Sequence, residues 1–261
     1  MATLLCASVT GNEFSGAFGQ LRRIEKEADI VELRLDKMTG FDIPNLKRLI
    51  PLAKKPIIAT YRAEREGGEG SASDSVRVDF LKHCIDAGAS FVDIELSTSK
   101  PLVRELVRYA HAHGTKVIVS FHDFTKMPSL PKLLRFAQEA HAIGADVVKA
   151  AALVKRPADN KTVFSLMDYC KRKRLPFIAI GMGDSATRFK AINKGAFLTF
   201  GRIGEGSAPG QPLLKDLRAY RRKLLVPAAK KQIIRAKRRI VVEKKSLAGK
   251  KPVRSSRRRR K

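Results

Sequence analysis

Short apolar segments alternate with longer amphipathic segments along the first 220 residues. Eight of the apolar segments have the length of a β-strand, and most are apolar at nearly every position, which is typical of strands buried on both faces. Their starts lie roughly 20 to 35 residues apart, which leaves room for one helix after each strand. They are Thr3–Val9, Ile30–Leu35, Pro56–Arg62, Phe91–Leu96, Lys116–Phe121, Asp146–Ala151, Pro176–Gly181 and Ala196–Phe200.

The segments between these strands carry apolar residues every three or four positions, as amphipathic helices do. Eight strands alternating with helices predict a (β/α)8 TIM barrel, and an open doubly wound sheet is the alternative with the same local pattern. The number of strands favours the barrel. The predicted helices are Gly19–Ala28, Asp79–Ala87, Pro101–Ala112, Leu130–Ile143, Thr162–Lys173 and Leu213–Leu225.

Charged side chains collect at the carboxyl ends of the predicted strands, where barrels place their active sites. Each one alone could be a structural ion pair or a solvated strand end. Charged residues with unrelated structural roles, however, would occur at both ends of the strands. Burying a charge is also costly unless the charge is paired or serves a function. We therefore predict an active site from Glu32, Arg34, Arg62, Asp93, Glu95, His122, Lys149 and Arg188.

These residue types indicate a particular chemistry. Lys149 lies in an apolar strand near arginines, so we expect it to lose part of its ammonium character and to attack carbonyl groups. His122 can move protons near neutral pH. The arginines favour a substrate that carries a carboxylate. The residues alone thus predict a Schiff-base lyase or aldolase acting on a small keto acid.

Other classes of protein are disfavoured. The sequence lacks metal-ligand spacing and a phosphate-binding loop, so we expect neither a metal nor a cofactor. Cys6, Cys84 and Cys170 are odd in number and far apart, which fits a reducing interior. Because no apolar run reaches the roughly 20 residues of a membrane span and no secretory signal is apparent, we expect a cytoplasmic protein.

Charge divides the chain into two parts. The whole chain has 53 Lys and Arg against 25 Asp and Glu, a net charge of +28, and 19 of the basic residues lie in 221–261 with a single acidic residue. We predict a catalytic barrel over 1–225 and a basic tail, partly helical or disordered, over 226–261. The tail is either a solubilising extension or a segment that attracts polyanions, although it has no aromatic residue for base stacking.

Seven short motifs, taken in order, resemble the type I 3-dehydroquinate dehydratases of the shikimate pathway over about residues 3–220. The resemblance implies dehydration of 3-dehydroquinate to 3-dehydroshikimate by syn elimination through a lysine imine, with no metal or cofactor. The motifs are Glu-Leu-Arg-Leu-Asp (32–36), Thr-Tyr-Arg (60–62), Glu-Gly-Gly (66–68), Asp-Ile-Glu (93–95), Ser-Phe-His-Asp-Phe (120–124), Asp-Val-Val-Lys (146–149) and Ser-Ala-Pro-Gly-Gln (207–211).

The same resemblance implies a role for each site residue. Lys149 would form the imine, His122 would be the general acid and base, and Glu95 would orient His122. Substrate would be bound by ring-hydroxyl contacts, by an arginine clamp on its carboxylate and by a closing loop. These residues are Glu32, Arg34 and Arg62 for the hydroxyls, Arg188 for the carboxylate, Ser207 and Gln211 on the loop, and Met182 and Phe124 as apolar walls.

Two alternatives remain open at this point. A class I aldolase or transaldolase also uses a lysine on the sixth strand of a barrel. A polyanion-binding protein would work through the basic tail, with the barrel as an inactive scaffold. Enzymes similar to this sequence include dimers, so a homodimer is compatible with the resemblance.

Overall fold

The computed structural model describes residues 2–38, 40–204, 206 and 208–225. Its eight strands run parallel, the first seven lie side by side in chain order, and the eighth pairs with the first. A hydrogen bond from the backbone N–H of Phe197, just before the eighth strand, to the carbonyl of Phe177 in the seventh strand (2.8 Å) nearly closes the barrel. The prediction of a (β/α)8 barrel is therefore confirmed. The strands are β1 Leu4–Val9, β2 Ile30–Arg34, β3 Ile57–Thr60, β4 Phe91–Glu95, β5 Lys116–Asp123, β6 Val147–Leu153, β7 Phe177–Met182 and β8 Leu198–Phe200.

A helix follows each strand, and two of these helices were not predicted. The first of these, α2 (Ile43–Leu49), is capped by Asp42, which accepts a hydrogen bond from the backbone N–H of Asn45 (2.8 Å). The second, α7 (Ala186–Lys194), has only nine residues. Such short helices give little periodicity to detect. The helices are α1 Phe14–Ile24, α2 Ile43–Leu49, α3 Asp74–Asp86, α4 Lys100–Ala112, α5 Leu130–Ala142, α6 Asp159–Arg172, α7 Ala186–Lys194 and α8 Leu214–Leu225.

The interior of the barrel is filled in layers by side chains from alternate strands. At the amino-terminal end, the inward residues are apolar and form one buried cluster. They come first from the even strands, with Ile30, Phe91, Val147 and Leu198, and then from the odd strands, with Cys6, Ile58, Ile118 and Ile178. Two residues further along the even strands the layer changes character, to Glu32, Asp93, Lys149 and Phe200. The apolar layers thus seal the barrel beneath a charged one.

Contacts divide the chain into a unit over 1–220 and a second unit over 221–261. The predicted basic tail, 226–261, lies outside the described residues. Within the described part, no helix is long and apolar enough to cross a membrane. All three cysteines are buried and unbridged.

Candidate active site

One cavity at the carboxyl ends of the strands collects most of the predicted site. Lys149, His122, Glu32, Arg34, Arg62, Arg188 and Gln211 all line it, together with Phe124 and Met182. Glu95 does not line it. Ser207 lies outside the described residues.

Lys149 is buried in the charged layer, and its Nζ is bordered by residues from the other three even strands. It donates to Asp93 Oδ2 at 2.7 Å and lies 3.5 Å from Glu32 Oε1. The nitrogen also lies 4.9 Å from the centre of the Phe200 ring. We expected apolar neighbours and arginines around this lysine. The structure instead places two carboxylates against it, because the inward positions of β2 and β4 at this height are acidic.

His122 faces the cavity near the end of β5 and contacts a carboxylate, Glu66. Its Nδ1 lies 3.0 Å from Glu66 Oε2, which also accepts the backbone N–H of His122 at 2.9 Å. Burial lowers the pKa of His122 well below its ordinary value, and the cations of Arg62 and Lys149 lower it further. His122 is therefore neutral in the resting site. With Nδ1–H directed at Glu66, Nε2 is left as a proton acceptor.

Glu66 reaches His122 from the 3-10 turn that follows β3. Burial raises the pKa of Glu66 to about 7, against the hydrogen bond from Ser97 and the charge of Arg62. Gly67 ends the turn in the left-handed region at φ 77°, and a Cβ there would come within 2.2 Å of the Phe124 ring. The turn thus packs directly on the segment that carries His122.

The expectation that Glu95 orients His122 is wrong. Glu95 Oε1 accepts from Arg62 at 2.7 Å, and Oε2 accepts from Arg77 at 2.6 Å. Both of its oxygens are therefore occupied by guanidinium groups beneath the cavity. The reason lies in the fold, since the loop after β3 carries Glu66 over β5 while Glu95 points inward from β4.

Arg62 connects Asp93, which contacts the lysine, to Glu95 and through Glu95 to Arg77. It binds Asp93 Oδ1 at 2.8 Å, Glu95 Oε1 at 2.7 Å and the hydroxyl of Ser120 at 2.7 Å. Arg77, on α3, is 1% exposed and extends the network from the outer ring of helices. Burial lowers the pKa of Arg62, but the charges of Asp93 and Glu95 outweigh that effect and raise it. These contacts fix Arg62 as a permanent cation.

The remaining polar residues at the β2 side of the cavity are held by neighbours. Glu32 accepts from the hydroxyls of Ser8 (2.7 Å) and Thr60 (3.0 Å). Arg34 donates twice to the carboxylate of Asp36, at 2.9 and 2.7 Å. This wall therefore presents rigid, prealigned polar groups, which suits the recognition of ring hydroxyls.

Arg188 differs from the other buried arginines. Its side chain lies on α7 and is 1% exposed, and among the described residues its hydrogen bonds go to backbone carbonyl groups, the shortest to Gly210 at 2.9 Å. Its Nε is buried without a partner there. Burial lowers the pKa of Arg188 to about 10, only partly offset by the charge of Asp184. An anion in the cavity would supply the negative charge that this cation lacks.

The residues that contact the cavity residues were harder to predict from the sequence than the cavity residues themselves. Asp93 was noted at the end of its strand without a role, and Glu66 only as part of a glycine-bearing motif. Arg77 carried no signal, because a charged residue on an amphipathic helix is usually solvated. The period of two that places Asp93 on the face of Glu95 was the available clue for Asp93. Among the described residues, no cluster of His, Cys, Asp or Glu is arranged to hold a metal ion.

A lysine and a histidine that share one buried cavity at the mouth of a (β/α)8 barrel define an enzyme of the Schiff-base lyase or aldolase class. Comparison with known proteins decides between the two. A family model for type I 3-dehydroquinase matches residues 5–224. A 3-dehydroquinate dehydratase of Methanococcus maripaludis is 38% identical over 220 residues, covering 82% of this chain and 97% of the relative.

Solved structures agree. A type I 3-dehydroquinate dehydratase from Clostridium difficile, solved with covalently modified comenic acid, has a TM-score of 0.80 at 25% identity and covers 85% of this chain and 92% of its own. A 3-dehydroquinate dehydratase from Geobacillus kaustophilus has a TM-score of 0.80 at 26% identity, and the match covers 85% of this chain and 91% of the Geobacillus chain. The chain belongs to the type I 3-dehydroquinase family, lyases that dehydrate 3-dehydroquinate in the shikimate pathway.

Proposed function

We propose that this chain dehydrates 3-dehydroquinate through an imine on Lys149, with His122 as general acid and base and Glu66 as its carboxylate partner. The observation that carries the proposal is the joint exposure of Lys149 and His122 to one cavity whose wall includes Arg188, a buried cation without a carboxylate partner in the described chain. A cyclic keto acid has the two groups that this cavity requires. Its ketone meets the amine, and its carboxylate meets the guanidinium.

The reaction begins at the lysine nitrogen. The Lys149 ammonium transfers one proton to the neutral His122, and the resulting amine adds to the C3 ketone to give a carbinolamine. The carbinolamine hydroxyl takes the proton back and leaves as water, so the nitrogen becomes an iminium. The iminium withdraws electrons from the ring and acidifies the C–H bonds at C2.

His122 then moves a proton from carbon to oxygen. Its Nε2 takes a proton from C2 and leaves an enamine, and the imidazolium next protonates the C1 hydroxyl, which departs as water. A single histidine serving both positions accounts for elimination on one face of the ring. Hydrolysis of the iminium releases 3-dehydroshikimate, so the net change is the loss of one water.

Glu66 supports both proton transfers in this proposal. When His122 becomes cationic, Glu66 Oε2, 3.0 Å from Nδ1, lies where a carboxylate stabilises the imidazolium. Burial raises the pKa of Glu66 to about 7 and lowers the pKa of His122 well below its ordinary value, so an imidazolium formed during the reaction gives up its proton readily. The proton on His122 is therefore easily returned to the substrate.

The polar walls hold the substrate in place. Arg188 clamps the carboxylate, while Glu32, Arg34 and Arg62 bind ring hydroxyls and order the pocket. Gln211 and Ser207 belong to the segment after β8 that we infer closes over the bound substrate and excludes water. That the Clostridium difficile relative holds covalently modified comenic acid supports covalent chemistry within the family.

Trapping with borohydride tests the proposal directly. With 3-dehydroquinate present, reduction should leave a stable adduct on the peptide that contains Lys149, detectable by mass spectrometry, and activity should be lost. Lys149→Arg is the matched control, because it keeps a cation beside Asp93 but cannot form an imine. An active enzyme that gives no adduct would remove the imine mechanism.

The setting of the enzyme is also part of the proposal. Three buried, unbridged cysteines support a reducing compartment, and we infer that the enzyme works in the cytoplasm. A homodimer, and contact of the tail with polyanions, are predictions from the sequence. Sedimentation at several protein concentrations would measure the first, and binding to heparin by full-length protein and by protein lacking 226–261 would measure the second.

A further inference from the structure

Asp93 is the carboxylate that lies closest to the reactive nitrogen, with Oδ2 at 2.7 Å from Lys149 Nζ. Its other oxygen accepts from Arg62 at 2.8 Å and from the hydroxyl of Ser120 at 2.6 Å. Its side chain is fully buried. Because both oxygens are occupied by donors from β5, from β6 and from the segment that follows β3, the carboxylate is fixed in position and orientation.

We propose that Asp93 is the permanent counter-charge of the Lys149 nitrogen, pairing with the ammonium in the resting enzyme and with the iminium once substrate is bound. This inference rests on the proposed function. An ammonium and a ketone combine to give an iminium and water, so the nitrogen carries one positive charge before and after the step. A fixed carboxylate that matches the first cation therefore matches the second without moving.

Asp93 is a counter-charge and not the base that activates the lysine. Burial by itself would raise the pKa of Asp93, but the cations of Arg62 and Lys149 outweigh that effect and hold its pKa far below the ordinary range. Asp93 therefore stays ionised throughout, and in the proposed reaction the proton that leaves the ammonium before attack passes to His122.

The two carboxylates beside the lysine have different positions. Glu32 lines the cavity and lies 3.5 Å from Nζ, whereas Asp93 is no part of the cavity lining and lies on the buried side of the lysine. Glu32 can therefore contact the substrate, whereas Asp93 can act on the reaction only through the lysine nitrogen. The other charged or titratable groups that interact with this pair are Arg62, His122 and Cys6.

Replacing the charge while keeping the shape tests the proposal. In Asp93→Asn, Lys149 keeps Glu32 and Arg62 keeps Glu95, so no buried cation is left without a carboxylate. The pH dependence of Lys149 acetylation by acetic anhydride, followed on the Lys149 peptide without substrate, reports how strongly the site holds the cation. We expect its midpoint to fall by about one to three pH units. With 3-dehydroquinate, kcat should fall roughly 10²-fold.

Two further variants separate charge from packing. Glu95→Gln removes a buried carboxylate from the same Arg62 but does not touch Lys149, so its acetylation midpoint should stay at the wild-type value. Asp93→Glu keeps the charge and should also keep that midpoint, even where the longer side chain lowers kcat. This variant remains informative if Asp93→Asn does not fold.

The outcomes are distinct. A midpoint in Asp93→Asn equal to that of wild type, or a fall in Asp93→Glu or Glu95→Gln, would overturn the assignment of Asp93. Because acetylation needs no substrate, this result does not depend on the proposed reaction. Failure of the proposed function would appear instead as wild-type enzyme that turns over without a borohydride-trapped adduct.

Discussion

Substitution of Arg188 by glutamine gives the sharpest test of how the site recognises its substrate. The guanidinium is buried, and in the described part of the chain it donates to the backbone carbonyls of Gly210 and Pro209, among others, with no hydrogen bond to a carboxylate. Glutamine keeps an amide donor but removes the charge. The variant therefore removes the cation that we assign to the substrate carboxylate.

The size of the effect follows from the pKa of this arginine. Burial lowers it from 12.5 to about 10, which corresponds to roughly 3 kcal/mol of destabilisation of the cationic form at about 1.4 kcal/mol per pH unit. A bound carboxylate would recover a similar amount, within the roughly 2–5 kcal/mol typical of truncating one partner of a buried charge pair. We therefore expect kcat/KM to fall about 10²-fold in Arg188→Gln.

The assay is the growth of ultraviolet absorbance from the conjugated enone product. Wild type, Arg188→Gln and a control, Arg104→Gln on the exposed face of α4, should be compared on 3-dehydroquinate and on its carboxamide analogue. Wild type and the control should prefer the carboxylate, and Arg188→Gln should lose most of that preference. If Arg188→Gln discriminates between the two compounds as strongly as wild type does, the carboxylate is bound elsewhere.

The histidine, its carboxylate partner and the basic tail can each be tested separately. His122→Ala should lower kcat by roughly 10²–10⁴-fold, as measured by the enone assay, and unchanged turnover would refute its role. Glu66→Gln should remove an ionisation near pH 7 from the pH profile of kcat/KM. Because the folded pKa of Glu66 is raised from 4.5 to about 7, its burial should destabilise the native state progressively as pH rises through that interval. Denaturant unfolding should thus show a larger gain for the glutamine variant at pH 8 than at pH 4.5, and an equal gain at both would contradict this. Deletion of 226–261 should leave turnover largely intact and weaken binding to polyanions. Loss of turnover in a truncated protein that is still folded would show that the predicted domain boundary is wrong.

The strand pattern could be predicted because it depends on local chemistry. All eight strands lie where the apolar runs are, with ends that differ by at most two residues. The shortest helices were missed because one or two turns carry little periodic signal, and α1 begins at Phe14, five residues before its predicted start. β5 continues to Asp123 because His122 and Asp123 pair with β6 although they are polar.

The cavity residues could be predicted for a related reason. A parallel barrel gathers the carboxyl ends of all its strands at one mouth, so the topology alone brings Lys149, His122 and the arginines together. Their partners could not be predicted in the same way. Which carboxylate touches which cation depends on the height of each inward side chain and on the path of each loop.

The sequence by itself determined the barrel, the end of the barrel that holds the cavity, and the lysine and histidine that we propose carry its chemistry, because strand periodicity and strand-end charge are local properties. Only the tertiary structure decided that Glu66 contacts His122, that Glu95 lies beneath the cavity between Arg62 and Arg77, and that Asp93 contacts the Lys149 nitrogen. These pairings join residues 18 to 56 positions apart in the chain. Contacts between such groups change with shifts of an ångström, and no pattern along the sequence encodes distances that fine.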